Sequence, residues 1–275
     1  MDPFVVLTFL LVSFVEILFP LALGYFLIKK YALNWKVYAI GVLFFVLVQL
    51  IHAPLVVVMQ QPMTDYVGRI FPDHVMAVAV YAIILGLLAG LFEELGRFIV
   101  YGRFFIGNKV PLSIQNGMLF GAGWGGVESI IIGLLILLTM FSYLNAAPLT
   151  DEQVTQINVS MNGTLTSVKA AEIDKQLTDL IALTPWDILP GMAERIFAVI
   201  LHITWSVMVL SAIVEKRNEL LILAVLWHSA TDALTFFVGQ IYGVMAAEGV
   251  LFVFALAGFL YLREKCSKTN AKPSL

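Results

Sequence analysis

Residues Met76–Val100, MAVAVYAIILGLLAGLFEELGRFIV, decide the fold. The run is long and apolar enough to cross a membrane as a helix, which takes about 20 residues. It also carries Glu93, Glu94 and Arg97. A charge at the bilayer centre costs about 2.5–3.5 kcal/mol on insertion scales. An apolar residue returns only about 0.3–0.6 kcal/mol. Three such groups persist in a membrane helix when they are used, so the rest of the chain is read by asking what meets them.

The chain around this stretch has 275 residues, 60% hydrophobic and 13% charged, with a net charge of -3. That composition is a polytopic membrane protein and not a soluble domain. Basic tracts interleaved with aromatics are absent, so nucleic acid is not an expected partner. The single cysteine, Cys266, excludes an intramolecular disulfide and a cysteine-based zinc site. The first apolar run, Phe4 to Ile28, is too long for a signal-peptide core and is read as a retained helix.

Seven apolar segments reach spanning length: about 4–28, 36–60, 76–100, 113–141, 191–213, 218–238 and 244–262. Backbone that faces lipid must satisfy its own hydrogen bonds, so the expected fold is an all-α helix bundle, one membrane domain over 1–275. Lys29, Lys30, Lys36, Arg103, Lys109, Lys216, Arg217, Arg263, Lys265 and Lys268 fall on one side of it. The positive-inside rule makes that side cytoplasmic, with the N-terminus outside and the C-terminus inside. The cell membrane expected is a bacterial plasma membrane.

The long connection, 142–190, lies on the other side and is acidic. Within it, Val168 to Leu183 places Ile173, Leu177, Leu180 and Ile181 on one helical face, as in a helix lying on a leaflet. Asn158 and Asn162 match the glycosylation pattern. The sequence sets no oligomeric state.

Depth sorts the polar residues of the spans. Glu94 sits a turn or two from the inner end of span three, and Glu128 near the middle of span four. His202 is near the middle of span five. His228 is about nine residues into span six, roughly 14 Å at the helical rise. These four can converge in a cavity between the midplane and the cytoplasmic face. His228 and Asp232 are i,i+4, and Glu94 and Arg97 are i,i+3, so each pair shares a face. Glu93 is turned away and is expected to do a different job. Gly86 and Gly90, with Gly117, Gly121 and Gly125, have the spacing that lets membrane helices approach closely. The expectation is that spans three and four pack on each other through them. His52 reads as a packing residue without a partner, and Glu16 as structural. Arg195 and Glu248 read as side chains that reach out to water. Trp124, Trp205 and Trp227 read as packing residues.

Glu93-Glu94-x-x-Arg97, then Phe120-Gly-Ala-Gly-Trp124-Gly-Gly-Val-Glu128, then His202, then His228-x-x-x-Asp232 form an ordered set. The set resembles the YhfC family of glutamic-type intramembrane proteases. It is similar also to the PrsW proteases and, more distantly, to the Abi/CAAX prenyl protease group. The likeness covers about residues 76–238. Where the CAAX group has Phe-x-x-x-His and His-x-x-x-Asn, this chain has Trp124-x-x-x-Glu128 and His228-x-x-x-Asp232.

The resemblance implies an intramembrane endopeptidase acting on a membrane protein or peptide. Glu94 would activate water as general base, tempered by Arg97. Glu128 would help hold the water. His202 and His228 would stabilise the oxyanion or protonate the leaving amine. Asp232 would fix the tautomer of His228, and Glu93 completes the motif. This form requires no cofactor. A zinc form would use His202 and His228 with Glu128 or Asp232, although no HExxH pair is present. The same polar set would serve a proton-coupled transporter or a metal-dependent lipid hydrolase.

Overall fold

The computed structural model describes residues 2–147, 150, 152, 156 and 167–270. Every regular element among them is helical. The helices are α1 Pro3–Tyr31, α2 Trp35–Ile70, α3 His74–Ile99, α4 Ile114–Asn145, α5 Ser167–Ile181, α6 Pro185–Val214, α7 Asn218–Tyr242 and α8 Val244–Asn270. A π-helical turn, Val100–Phe105, continues α3. All but α5 are long and apolar enough to cross a membrane, seven candidate spans as expected. The expected signals at Asn158 and Asn162 lie outside the described residues.

Several ends are longer than hydropathy suggested, because apolarity marks the hydrocarbon core while capping marks the helix. Asp73 starts α3 by accepting from the Met76 amide at 2.8 Å. Ser113 accepts from the Asn116 amide at 3.2 Å and starts α4. Thr184 and Asp187 form a reciprocal capping box, with Pro185 in the first turn of α6. Helix α2 runs on to Ile70 through Pro54 and Pro62, a tolerance common in membrane helices.

Helix α6 is the axis of the bundle. Its most apolar window is 72% buried, against 39% or less for the other spans. Helices α1, α3, α4, α7 and α8 all pack on it. Its C-terminal part, from Leu201 to Ala212, is enclosed throughout.

The glycines do not pair α3 with α4. A Cβ on Gly86 would lie 2.4 Å from the Ser229 carbonyl oxygen, and one on Gly90 would lie 2.3 Å from Ser229 Oγ. The close partner of α3 is therefore α7. On α4, a Cβ on Gly121 would lie 2.7 Å from Ile203 Cα, and one on Gly125 would lie 2.7 Å from His202 Cβ. These glycines seat α4 on α6. Gly123 faces Tyr38 of α2, and Gly133 faces Ile17 of α1. Spacing shows that a helix has a close-packing stripe, but not which helix fills it.

Helix α5 has the expected amphipathic pattern. Ile173, Leu177 and Leu180 are half-buried and Ile181 is exposed. Leu180 joins a small apolar cluster with Val5, Phe9, Tyr143 and Ile188, which ties α5 to the ends of α1, α4 and α6.

Candidate active site

Arg97 is the hub of the polar cluster and is fully buried. It reaches Glu94 Oε1 and lies 3.1 Å from Glu93 Oε2, i,i+3 and i,i+4 on α3. Its Nη2 is 2.6 Å from His202 Nδ1. Its guanidinium stacks over the Trp124 ring, 4.5 Å from the centroid. Isolated burial of such a charge is very unfavourable. Here two carboxylates, an imidazole and an indole face share it.

Glu93 is held from three sides. Trp124 Nε1 donates to Oε2 at 2.8 Å, and Gln49 Nε2 donates to Oε1 at 3.1 Å. His52 Nδ1 lies 3.2 Å from Gln49 Oε1, and its ring stacks on Phe92. So His52 has a partner, contrary to expectation, three residues away on its own helix. Trp124 does more than pack: it binds both Glu93 and Arg97. Trp205 also serves the site, stacked on the His228 ring with centroids 3.9 Å apart and planes at 10°. Trp227 Nε1 has no partner, and that residue packs as expected.

The hydrogen bonds set the state of His202. Arg97 can only donate, so His202 Nδ1 accepts. The proton then sits on Nε2, which donates to Glu128 Oε2 at 2.7 Å. Glu128 Oε1 accepts from Arg195 at 3.0 Å, and Arg195 also pairs with Glu194. Arg195 does not reach out to water as its position suggested. Its side chain is 12% exposed and turned inward. The signal for this was present in the sequence: Arg195 and His202 are seven residues apart, two turns along one face of α6.

His228 stands on the other side of the cluster. Its Nδ1 is 2.7 Å from Glu94 Oε1, and its Nε2 is 3.4 Å from Asp232 Oδ2. The rings of His202 and His228 have centroids 5.9 Å apart and are nearly perpendicular.

A cavity of about 350 Å³ lies against these groups. Glu93, Glu128, Arg195, His202, His228 and Asp232 face it. Glu128, Glu194 and Asp232 are its more open carboxylates, with side chains 30%, 39% and 41% exposed. Glu94 does not face it: its carboxyl is fully buried behind His228 and Arg97. From the sequence Glu94 is expected to meet water and Glu93 to do a different job, whereas the structure puts Glu93 on the wall and Glu94 behind it. All seven expected residues are nevertheless in one connected network. Glu16 and Glu248 are outside it, and no hydrogen-bond partner reaches either Glu16 oxygen.

The donor types suit zinc, which takes imidazole nitrogen and carboxylate oxygen at about 2.0–2.2 Å. Among the described residues, no three His, Cys, Asp or Glu side chains stand in a ready ligand arrangement. His228 is nevertheless prepared as a ligand. Nδ1 is engaged by Glu94, which fixes the ring and leaves Nε2 toward the cavity. His202 Nε2 also points to a cavity carboxylate. Ligation through His202 Nε2 would put its proton on Nδ1, which lies 2.6 Å from Arg97 Nη2 and 3.7 Å from Glu93 Oε2.

A family model described as YhfC intramembrane metalloprotease matches residues 15–253. The uncharacterized membrane protein YhfC of Bacillus subtilis (strain 168) is 32% identical over 216 residues, 78% of each chain. No solved structure matches.

Proposed function

The chain belongs to the YhfC intramembrane metalloprotease family, and from that membership and the cavity's geometry we propose that it is an intramembrane endopeptidase. It hydrolyses a peptide bond of a membrane-associated protein with a water activated by a cavity carboxylate. The observation that carries this reading is the meeting of Glu128, His202, His228 and Asp232, from α4, α6 and α7, at one cavity within the bundle.

Peptide hydrolysis needs a base for water, donors for the oxyanion and an acid for the leaving amine. In this reading Glu128 is the base. It is open to the cavity, and both of its oxygens are aimed by fixed donors, His202 and Arg195. His228 lies between two carboxylates, Glu94 and Asp232, and protonated it donates to both. In this reading the Nδ1–H stays on Glu94, while the Nε2–H, only 3.4 Å from the more open Asp232, turns to the oxyanion and then to the leaving nitrogen. Glu94 and Arg97 act behind these groups. Glu94 orients His228, and Arg97 fixes His202 and balances the two α3 carboxylates. Asp232 sets the protonation of His228 from the cavity side.

The family description and the donor set favour a second form of the same reading, with zinc held by His202, His228 and Glu128 or Asp232. The ion would supply Lewis acidity and a more acidic bound water. Glu93 or the remaining carboxylate would then hold the water's proton. Metal analysis of the purified chain, with a chelator test of cleavage, distinguishes the two forms.

The positive-inside rule, applied to the lysines and arginines, supports an outer N-terminal face, and in this reading the substrate is cut within the bilayer from a cavity slightly inside the midplane. The test is a proteomic comparison of membranes from cells carrying wild-type chain or Glu128→Gln at equal levels. New termini of membrane proteins that vanish with Glu128→Gln support the reading. Identical termini in the two membranes would remove it.

A further inference from the structure

A larger cavity lies elsewhere. A groove of about 720 Å³ lies at the lysine-rich face, between the α1–α2 turn and the turn that leads from the π-helical segment into α4. Its walls are apolar, with Val37, Ile40 and Leu43 on one side and Phe104 and Val110 on the other. Lys36 and Lys109 line it too, and no carboxylate does. Both lysines are exposed, and neither has an ion pair among the described residues.

The other polar groups at the rim are already engaged. Asn34 Oδ1 accepts from the Lys36 amide at 2.9 Å, and Asn108 Nδ2 donates to the Phe104 carbonyl at 2.9 Å. Asn116 Nδ2 donates to the Pro111 carbonyl at 2.9 Å. That leaves two ammonium groups without a partner above an apolar trough. The trough follows α2 from Lys36 to Leu43, about 10 Å along the helix. Leu43 is 51% exposed at its deep end, so the trough opens sideways, where acyl chains would run.

We propose that this groove is a binding site for an anionic phospholipid. The headgroup phosphate sits between Lys36 and Lys109, and one acyl chain lies along Ile40, Leu43 and Phe104. Charge selects the headgroup, because each ammonium lies where an anionic leaflet surface attracts it. The trough selects an amphiphile over a free anion, because a soluble phosphate would leave its apolar walls uncovered. Phe104 belongs to the π-helical turn that continues the helix carrying Glu93, Glu94 and Arg97. The lipid would therefore pack at the end of the element that carries the buried charges. The proposal is independent of peptidase activity.

The test uses the full chain purified in neutral detergent and native mass spectrometry of bound lipid. Phosphatidylglycerol and phosphatidylcholine of identical chains compete, and glycerol phosphate serves as the headgroup alone. Wild type is expected to retain phosphatidylglycerol about fivefold or more over phosphatidylcholine. Lys36→Gln with Lys109→Gln should bring the two lipids to parity. Ile40→Trp fills the trough and keeps both charges, and it should also lose bound phosphatidylglycerol. The lysines are exposed and Ile40 is only partly buried at the edge of the core; unchanged melting temperatures confirm the folding of both variants. No headgroup preference in wild type would overturn the proposal. So would preference kept by the double lysine variant, retention in Ile40→Trp, or displacement by glycerol phosphate alone.

Discussion

His228 Nδ1 and Glu94 Oε1 stand 2.7 Å apart, although 134 residues separate them along the chain. The contact joins α3 to α7 and puts a buried carboxyl behind a cavity-facing imidazole. Glu94 also holds Arg97, so its removal has two separable consequences. Glu94→Leu leaves a buried guanidinium short of a partner and should destabilise the fold by about 3–5 kcal/mol. Glu94→Gln keeps an acceptor for His228 and should fold, but it should cleave poorly because the orienting charge is gone. Thermal unfolding in detergent, set beside reporter cleavage, checks both outcomes.

Gly86 and Gly102 give a second prediction. A methyl group on Gly86 meets the Ser229 carbonyl oxygen of α7, while one on Gly102 meets nothing within 4 Å. Gly86→Ala should push α3 from α7 and destabilise by about 1–3 kcal/mol, as overpacking does. Cleavage should fall with it, because the same displacement separates Glu94 from His228. Gly102→Ala should match wild type in melting and in cleavage.

Arg195 aims Glu128 from the side opposite His202. Arg195→Gln should reduce cleavage about 10–100-fold, the usual loss when an orienting partner is removed. Arg195→Lys restores the charge without the two-pronged geometry and should recover only part of it. Steady-state cleavage should show the loss in kcat more than in KM, since Arg195 acts through Glu128. A loss confined to KM would make Arg195 a substrate-binding group instead.

Trp124 supplies Glu93 with a donor at 2.8 Å and Arg97 with a ring face. Trp124→Phe keeps the face and removes the donor. It should cost about 1–3 kcal/mol, the range for a buried acceptor left short of a partner. Urea or thermal unfolding of the purified variant measures it.

The spans were legible because burial in lipid leaves a long, simple signal, and the seven apolar runs of the sequence are seven long helices. The polar set was legible because charges are rare there and each stands out. The pairing of helices was not. Gly86, Gly90, Gly121 and Gly125 advertise close contact, but α7 and α6 meet them, in place of one another's helices. Orientation within a helix was also hidden. Glu93 and Glu94 differ by one position, and only the placement of α6 and α7 decides which carboxylate reaches the cavity. Depth alone puts Arg195 near water, whereas its register with His202, seven residues on, turns it inward.

The most direct test of the central claim is hydrolysis by the purified chain in liposomes, using a membrane protein whose cleavage the proteomic comparison identifies, in water enriched in ¹⁸O. The expected result is a new carboxyl terminus carrying ¹⁸O, formed by wild type and abolished by Glu128→Gln. Glu128→Gln cutting at the wild-type rate, or no cleavage by the wild-type chain, would contradict a water-activating site at this cavity.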